Sequence, residues 1–220
     1  MARAQQPLPG VKGSTAKGEL RLSGGRRLKS PKGDGTRPTT GLVRQAVMNM
    51  LAPELHGCHW LDLCSGSGVM GCEAMLRGAM RVLAIEKNPG TAAICRENMA
   101  ATATGLSPSP SHSVICADLR RWLGTGRPES DPGFDLVYFD PPYAAGLYAP
   151  GLDLLLRGQW LRDGALVICE HAIQAIPELP QGWQLRDQRR YGNSGLLLIS
   201  PPGHCPGGTG SRQQQTDPPG

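Results

Sequence analysis

Residues 62–71 read DLCSGSGVMG, and this short stretch decides the fold. An apolar run just before it predicts a buried strand. Gly66, Gly68 and Gly71 match the G-x-G-x-x-G pattern, whose glycines let the backbone approach a ligand closely. Glu86 follows Gly66 by 20 residues, at the end of the next apolar run, where a carboxylate can accept hydrogen bonds from a ribose. The spacing predicts a Rossmann-like site for an adenosine cofactor, without separating NAD from S-adenosylmethionine.

Asp62 favours the second of these cofactors. It stands at the strand end before the glycines, where its carboxylate is expected to face the mouth of the pocket. A pyrophosphate would meet a like charge there, and two like charges about 4 Å apart cost about 4 kcal/mol at an effective dielectric constant of about 20. S-adenosylmethionine has no phosphate and carries an ammonium and a sulfonium, so an acidic loop suits it. The alternative is that Asp62 is only a turn or helix-capping residue.

Asp118 follows the third apolar run, in the sequence Cys-Ala-Asp. Its carboxylate could accept a hydrogen bond from the adenine amino group of the cofactor. It could equally cap the helix expected over 118–123, a role that Asp often fills. Both functions are compatible, so the sequence leaves them open.

The second decisive stretch, residues 134–143, reads FDLVYFDPPY. Its two prolines fix φ and remove two backbone donors, so Asp140 and Tyr143 are held at the carboxyl end of a buried strand. The exocyclic amine of a nucleobase is a poor nucleophile because its lone pair is delocalised into the ring. The Asp140 carboxylate and the Pro141 carbonyl could accept its two N–H groups, and stacking on Tyr143 would add about 1–3 kcal/mol.

This arrangement predicts methylation of an amino nitrogen with S-adenosylmethionine as the donor. The structural alternative is a proline-rich turn with an incidental tyrosine. Methylation of cytosine C5 is disfavoured, because it needs a nucleophilic cysteine that usually follows a proline, and the sequence has no Pro-Cys pair.

Apolar and amphipathic segments alternate along the chain, which predicts an α/β fold with a doubly wound, seven-stranded, mostly parallel sheet. Only a Tyr-Gly-Asn turn separates the last two strands, so an antiparallel hairpin is expected at the C-terminal end. The expected strands are 59–63, 81–86, 113–117, 134–139, 164–170, 183–189 and 194–200, and the expected helices are 69–78, 90–103, 118–123 and 147–160. The expected domains are a disordered basic leader (1–17), a hairpin with a helix (18–52), the methyltransferase domain (53–200) and a disordered tail (201–220).

The composition narrows the class of protein further. The chain has 220 residues and no apolar run near the about 18 residues that a membrane span needs. Seven cysteines are an odd number without a CxxC pair, which favours reduced thiols in a cytoplasmic protein over disulfides or a zinc site. Residues 1–40 carry nine Lys or Arg and two Asp or Glu. Such a segment indicates a polyanionic partner such as nucleic acid, or simply a solvated leader.

Taken together, residues 18–200 resemble the RsmD-type methyltransferases. The matching stretches are Arg37-Pro38-Thr39-Thr40 with Val43-Arg44 and Asn49-Met50-Leu51, residues 62–74 with Arg77-Gly78-Ala79, residues 134–143, and Tyr191-Gly192-Asn193-Ser194. The resemblance implies a seven-stranded methyltransferase fold, S-adenosylmethionine as donor, and guanine N2 of 16S ribosomal RNA within a small-subunit particle as the target. Gly41 and Gln45 depart from the pattern, because the family usually has Asp and Glu at these positions of a helix thought to close over the site.

The resemblance also implies the site residues. The cofactor-binding residues would be Asp62, Cys64, Gly66, Ser67, Gly68, Glu86, Lys87 and Asp118. The catalytic residues would be Asp140, Pro141 and Tyr143. The substrate-binding residues would be Arg21, Arg26, Arg27, Arg37, Thr39, Arg44 and Pro142, with Lys29 and Lys32 also near phosphates. Arg37 and Arg44 have a structural alternative, in which they pair with acidic residues of the core. Glu170 and His171 are expected to form a partly exposed polar pair rather than to supply a base.

Two other classes of function stay open at this stage. One is a DNA adenine or protein glutamine methyltransferase, although glutamine enzymes usually have Asn-Pro-Pro-Tyr and DNA enzymes usually carry a sizeable target-recognition region. The other is a non-catalytic RNA-binding module, against which the intact Asp62, Glu86 and Asp140 count. We further expect a monomer without a bound metal.

Overall fold

The computed structural model describes residues 20–31, 39–142 and 146–203. The strands are β1 (His59–Leu63), β2 (Arg81–Glu86), β3 (Ser111–Cys116), β4 (Phe134–Phe139), β5 (Leu161–Ala172), β6 (Gln184–Tyr191) and β7 (Ser194–Ser200). The helices are α1 (Gly41–Met50), α2 (Ala52–Leu55), α3 (Val69–Leu76), α4 (Pro89–Ala103), α5 (Leu119–Leu123) and α6 (Tyr148–Arg157). The predicted leader, and the predicted tail from residue 204 onward, lie outside the described residues. None of the described helices is long and apolar enough to cross a membrane.

All seven strands belong to one sheet, in the order β3-β2-β1-β4-β5-β7-β6. Strands β1 to β5 pair in parallel, and β7 is antiparallel to both of its neighbours, β5 and β6. The predicted doubly wound sheet with a C-terminal hairpin is therefore confirmed. β5 is longer than expected because both of its ends find partners: Leu161 pairs with Phe134, and Ala172 pairs with Ser194.

The two faces of the sheet carry different helices. Successive side chains of a strand point to opposite faces. Trp60, Tyr138 and Leu196 pack in one apolar cluster with residues of α1, α3 and α4. Leu61 and Phe139 belong to the other cluster, with residues of α5 and α6. Strand parity thus decides which side chains reach the α1, α3 and α4 face, and it places Asp62 and Glu170 there.

A short antiparallel bridge between Arg21 and Arg27 forms the predicted N-terminal hairpin. The hairpin is fastened to α3 by Glu73, whose carboxylate accepts hydrogen bonds from the backbone N–H and the hydroxyl of Ser23 at 2.9 and 2.8 Å. Glu73 is only 1% exposed and also pairs with Arg77 at 2.6 Å. Residues 20–31 of the basic N-terminal segment are consequently part of the folded domain.

Helix α6 packs so closely on the end of β4 that only glycine fits at position 151. A Cβ there would lie 2.7 Å from Cζ of Phe139. We expect Gly151→Ala to lower the free energy of unfolding by about 1–3 kcal/mol, since the ring must shift. Urea unfolding checks this, with Gly24→Ala as the matched control, because a Cβ at Gly24 meets nothing within 4 Å. Equal stability losses in the two variants would contradict the close packing.

Candidate active site

The direction of winding reverses between the neighbouring strands β1 and β4. From β1 the chain proceeds to β2 and β3 on one side, and from β4 to β5 on the other. In open α/β sheets, ligands bind in the crevice outside the carboxyl ends of the strands at such a point. The loop after β1, the end of β2 and the turn after β4 all lie at this edge. The structure therefore brings the two decisive stretches of sequence together.

The glycine loop between β1 and α3 has two distinct constraints. Gly66 and Gly68 have φ of 55° and 74°, a left-handed conformation that side chains disfavour. A Cβ on Gly68 would lie 2.5 Å from Sγ of Cys95, so this glycine permits the packing of α4. A Cβ on Gly66 would meet nothing within 4 Å. Open space beside Gly66 is what a ligand close to the backbone requires.

Glu86 holds the glycine loop in place. Its Oε2 accepts a hydrogen bond from the N–H of Gly66 at 2.9 Å, and its Oε1 accepts one from the N–H of Asn88 at 2.8 Å. Both oxygens are thereby fixed in direction while each keeps a lone pair for a further donor. The carboxylate is thus oriented at the end of β2, as the ribose-binding prediction requires, although that role stays a prediction.

The location predicted for Asp62 is wrong in one respect, because its carboxylate lies beneath the loop and not at the mouth of the pocket. The side chain is 1% exposed, and its Oδ2 accepts a hydrogen bond from the N–H of Gly71 at 3.1 Å. Burial raises the pKa of Asp62, the Gly71 N–H partly opposes this, and Glu86 adds to it. Strand parity explains the difference, since position 62 faces α3. The charge of Asp62 can act on a ligand only through the loop above it.

Asp118 adopts the capping geometry that was one of its two predicted roles. Its Oδ1 accepts hydrogen bonds from the N–H groups of Arg120 and Arg121 at 3.0 and 3.2 Å, at the start of α5. The residue is exposed at the carboxyl end of β3. A contact with adenine stays a prediction.

Asp140 lies at this edge of the sheet, directly after the last residue of β4. Its backbone N–H donates to the carbonyl of Leu63 at 3.4 Å, which continues the β1–β4 pairing beyond the last paired residues. The side chain is partly buried, yet it accepts no hydrogen bond from any residue in the described part of the chain. Burial raises the pKa of Asp140, and the carboxylates of Glu170 and Asp62 raise it further. Pro141 is buried and Pro142 is exposed, whereas Tyr143 lies outside the described residues.

Glu170 and Tyr138 are site residues that the sequence analysis missed. The Tyr138 hydroxyl donates to Oε2 of Glu170, and Thr39 forms a side-chain hydrogen bond with Tyr138. The predicted partial exposure of Glu170 and His171 is wrong, since the two residues are only 3% and 2% exposed. They are buried because β7 covers the end of β5. The signal that could have revealed this was a carboxylate directly after the apolar run 165–169. Burial raises the pKa of Tyr138, and Glu170 and Asp140 raise it further.

Arg44 takes the structural position that was left open for it. It donates to the carbonyls of Thr39 at 2.8 Å and Arg21 at 2.7 Å, and its Nε lies 3.7 Å from the buried Glu73. Its guanidinium ties α1 to the N-terminal hairpin. Arg37 lies outside the described residues, so the same alternative stays untested for it.

The other predicted phosphate contacts that the structure describes lie on the surface of the hairpin, whereas Lys32 lies outside the described residues. Arg21, Arg26 and Arg27 are exposed. Arg26 donates to the carbonyl of Ala101 on α4, and a guanidinium has further donors beyond such a bond. Asn98 on α4 was not predicted: it accepts from the N–H of Lys29, and its Nδ2 donates to the carbonyls of Lys29 and Ser67, each at 2.9 Å. One buried amide thus joins the basic segment to the glycine loop.

The sheet differs from the dinucleotide-binding arrangement because its β7 lies next to β5 and is antiparallel to it. This strand order, together with the proline turn after β4, is that of the Rossmann-like methyltransferases. A family described as "Conserved hypothetical protein 95" matches residues 20–200. The chain belongs to this family, which is the RsmD family that the motifs indicated.

Curated relatives agree with this assignment. Ribosomal RNA small subunit methyltransferase D of Escherichia coli is 30% identical, over 82% of this chain and 89% of the relative. The protein of the same name from Haemophilus influenzae is 31% identical, over 80% and 91%. A solved Escherichia coli structure, described as a candidate methyltransferase, superposes with a TM-score of 0.69 at 29% identity and covers 84% of this chain and 99% of that one. The enzyme class, methyltransferase, is therefore established.

The raised pKa of Asp140 predicts a stability change with a definite sign. The folded protein holds the Asp140 proton more tightly than the unfolded chain does, where the pKa is about 3.9. The stability from this proton is complete below the unfolded pKa and is lost as pH rises through the raised folded pKa. We expect Asp140→Asn to raise the free energy of unfolding at neutral pH, and the gain to shrink as pH falls. Urea unfolding from pH 5 to 8 checks this against Asp163→Asn, an exposed carboxylate. A loss of stability at neutral pH would contradict it.

Proposed function

We propose that this protein transfers a methyl group from S-adenosylmethionine to the exocyclic N2 amine of a guanine in 16S ribosomal RNA. The observation that carries the proposal is the carboxylate of Asp140. It is partly buried at the winding reversal, and none of the described residues donates a hydrogen bond to it. A partly buried acceptor without a donor costs free energy, so it is retained where a ligand supplies the donor.

The residues at the glycine loop fit the donor molecule. Gly66 leaves open space beside its backbone, and Glu86 presents fixed oxygens that a ribose can reach. Asp118 at the end of β3 would contact the adenine, and Cys64, Ser67, Gly68 and Lys87 would line the remaining wall. Asp62 would favour the cationic end through the loop. When bound, S-adenosylmethionine supplies an electrophilic methyl group on a positively charged sulfur.

The chemistry of Asp140 and Pro141 is that of oriented acceptors. The carboxylate would accept one N–H of the amine and the Pro141 carbonyl the other, so the nitrogen lone pair is drawn out of conjugation with the ring. Such preorganised acceptors act without reorganising during the reaction. The methylated nitrogen must lose one proton, and the raised pKa of Asp140 makes its carboxylate a better acceptor for that proton. Tyr143 would stack on the base, and Pro142 would border it.

The choice of RNA rests on the relatives and on the hairpin. The curated relatives are named as methyltransferases of small-subunit ribosomal RNA. The exposed Arg21, Arg26 and Arg27 would contact phosphates around the target. Thr39, which forms a hydrogen bond with Tyr138, would lie near the base. We propose a monomeric, cytoplasmic enzyme acting on RNA within a small-subunit particle.

Removal of the Asp140 carboxylate tests the assigned role. We expect Asp140→Ala to lower methyl transfer by about 10²–10³-fold, because an oriented acceptor is lost, while the dissociation constant for S-adenosylmethionine changes less than about threefold. Radiolabelled transfer and titration calorimetry measure the two quantities. Asp153→Ala, on the half-exposed side of α6, is the matched control, since its carboxylate pairs with Arg157 and with no other residue that the structure describes. Collapse of cofactor binding together with high residual transfer would contradict the role.

Competition between substrates tests the proposed target. Free 16S ribosomal RNA, small subunits and duplex DNA are offered in parallel with labelled S-adenosylmethionine, and digested nucleosides are identified by mass. We expect N2-methylguanosine from RNA and no product from DNA. Label in DNA alone, in adenine, or in protein would refute the proposed substrate, and no label on any substrate would favour a non-catalytic binding module.

A further inference from the structure

Strand β6 is the outer strand of the sheet on the β5 side, and its register aligns it with the active site. Phe139 of β4 pairs with Cys169 of β5, so the following residues, Asp140 and Glu170, are neighbours. Glu170 is opposite Leu196, and Leu196 is opposite Arg189. Asp140 and Arg189 therefore lie in one row across the sheet, three strand spacings apart. At about 4.8 Å per spacing, they are separated by about 14 Å.

The carboxyl end of β6 also points to the active-site edge. β7 is antiparallel to both β5 and β6, so β5 and β6 run in the same direction. The N–H of Ile173, just after β5, donates to the carbonyl of Asn193 in the β6–β7 turn at 3.1 Å. Arg190 and the turn after it consequently stand beside the end of β5, at the edge where Asp140 lies.

The charge on this edge strand is strongly positive. β6 has the sequence QLRDQRRY, with three arginines and one aspartate. Arg189 and Arg190 are exposed, and Arg190 forms no salt bridge with any residue that the structure describes. Arg189 pairs with Asp187 at 2.8 Å, which leaves it other donors. By contrast, β3 at the opposite outer position, SHSVIC, contains no Lys or Arg.

We infer that Arg189 and Arg190 form a second RNA-contact surface, which binds backbone phosphates on the side of the target nucleotide away from β3. The inference rests on the proposed function and deepens it, since the N-terminal hairpin would hold one flank of the RNA and β6 the other. Phosphate contacts fix the position of a nucleic acid without reading its sequence. Phosphate contacts at the hairpin and at β6 would together hold the target base over Asp140. They would not alter the groups that bind the cofactor or act in catalysis.

The test compares Arg189→Ala/Arg190→Ala with Arg157→Ala. Arg157 is an exposed arginine that also pairs with an aspartate, but α6 ends at the start of β5, so it lies at the opposite edge of the sheet. We expect the double variant to bind 16S ribosomal RNA about tenfold more weakly, with a log–log salt dependence shallower by about 0.7–0.9 per arginine. The KM for RNA rises, whereas kcat and S-adenosylmethionine affinity stay at the control values. Arg189→Lys/Arg190→Lys should recover most of the binding.

Each outcome decides the inference separately from the proposed function. Unchanged RNA affinity and salt dependence in the double variant would overturn the second surface and leave the methyltransferase proposal intact. Loss of binding to small subunits but not to naked RNA would also overturn it, because the partner would then be a protein of the particle. If the wild-type protein transfers no methyl group to RNA, the proposed function fails, and RNA binding measured without transfer still tests the surface.

Discussion

Burying a carboxylate costs free energy unless a donor is supplied, and three carboxylates lie at the carboxyl end of this sheet. Asp62, Asp140 and Glu170 lie on one face near the carboxyl ends of β1, β4 and β5, and burial raises the pKa of Asp62 and of Asp140. Two of them have donors within the fold: Asp62 has the Gly71 N–H, and Glu170 has the Tyr138 hydroxyl. Asp140 has none among the described residues. The fold supplies a hydrogen-bond donor to Asp62 and Glu170, whereas the carboxylate between them, Asp140, is the one proposed to meet a ligand.

Two buried polar side chains join the basic N-terminal segment to the glycine loop and to the helix that follows it. Glu73, on the helix that follows the loop, holds Ser23, and Asn98 on the next helix holds Lys29 and the carbonyl of Ser67. Buried polar groups of this kind are costly when they lose a partner. Because Asn98 serves both segments, displacement of either one weakens its hold on the other. The part of the chain proposed to meet RNA is thereby fastened to the part proposed to meet the cofactor.

Much of the fold could be predicted because the apolar runs of the sequence coincide with strands that are buried in the folded sheet. β1, β2, β4 and β7 have the predicted bounds, since each is a short apolar run ended by a turn or loop signal. β3 and β5 differ because pairing with a neighbour extends a strand into polar residues, such as Ser111 and His112 opposite Arg81 and Val82. Such extension depends on the partner and leaves no trace in the local pattern.

The sequence by itself determined the class of chemistry: glycines at fixed spacing after one strand and Asp-Pro-Pro after another are local features, and their meaning depends only on the backbone near them. Tertiary structure alone decided which carboxylate is available. Asp62, Asp140 and Glu170 look equivalent in the chain. Strand parity, the register between β4 and β5, and the position of α3 place a donor beside Asp62 and Glu170, and no described residue donates to Asp140. Those relations join residues up to 108 positions apart, from Asp62 to Glu170, so no local pattern can encode them.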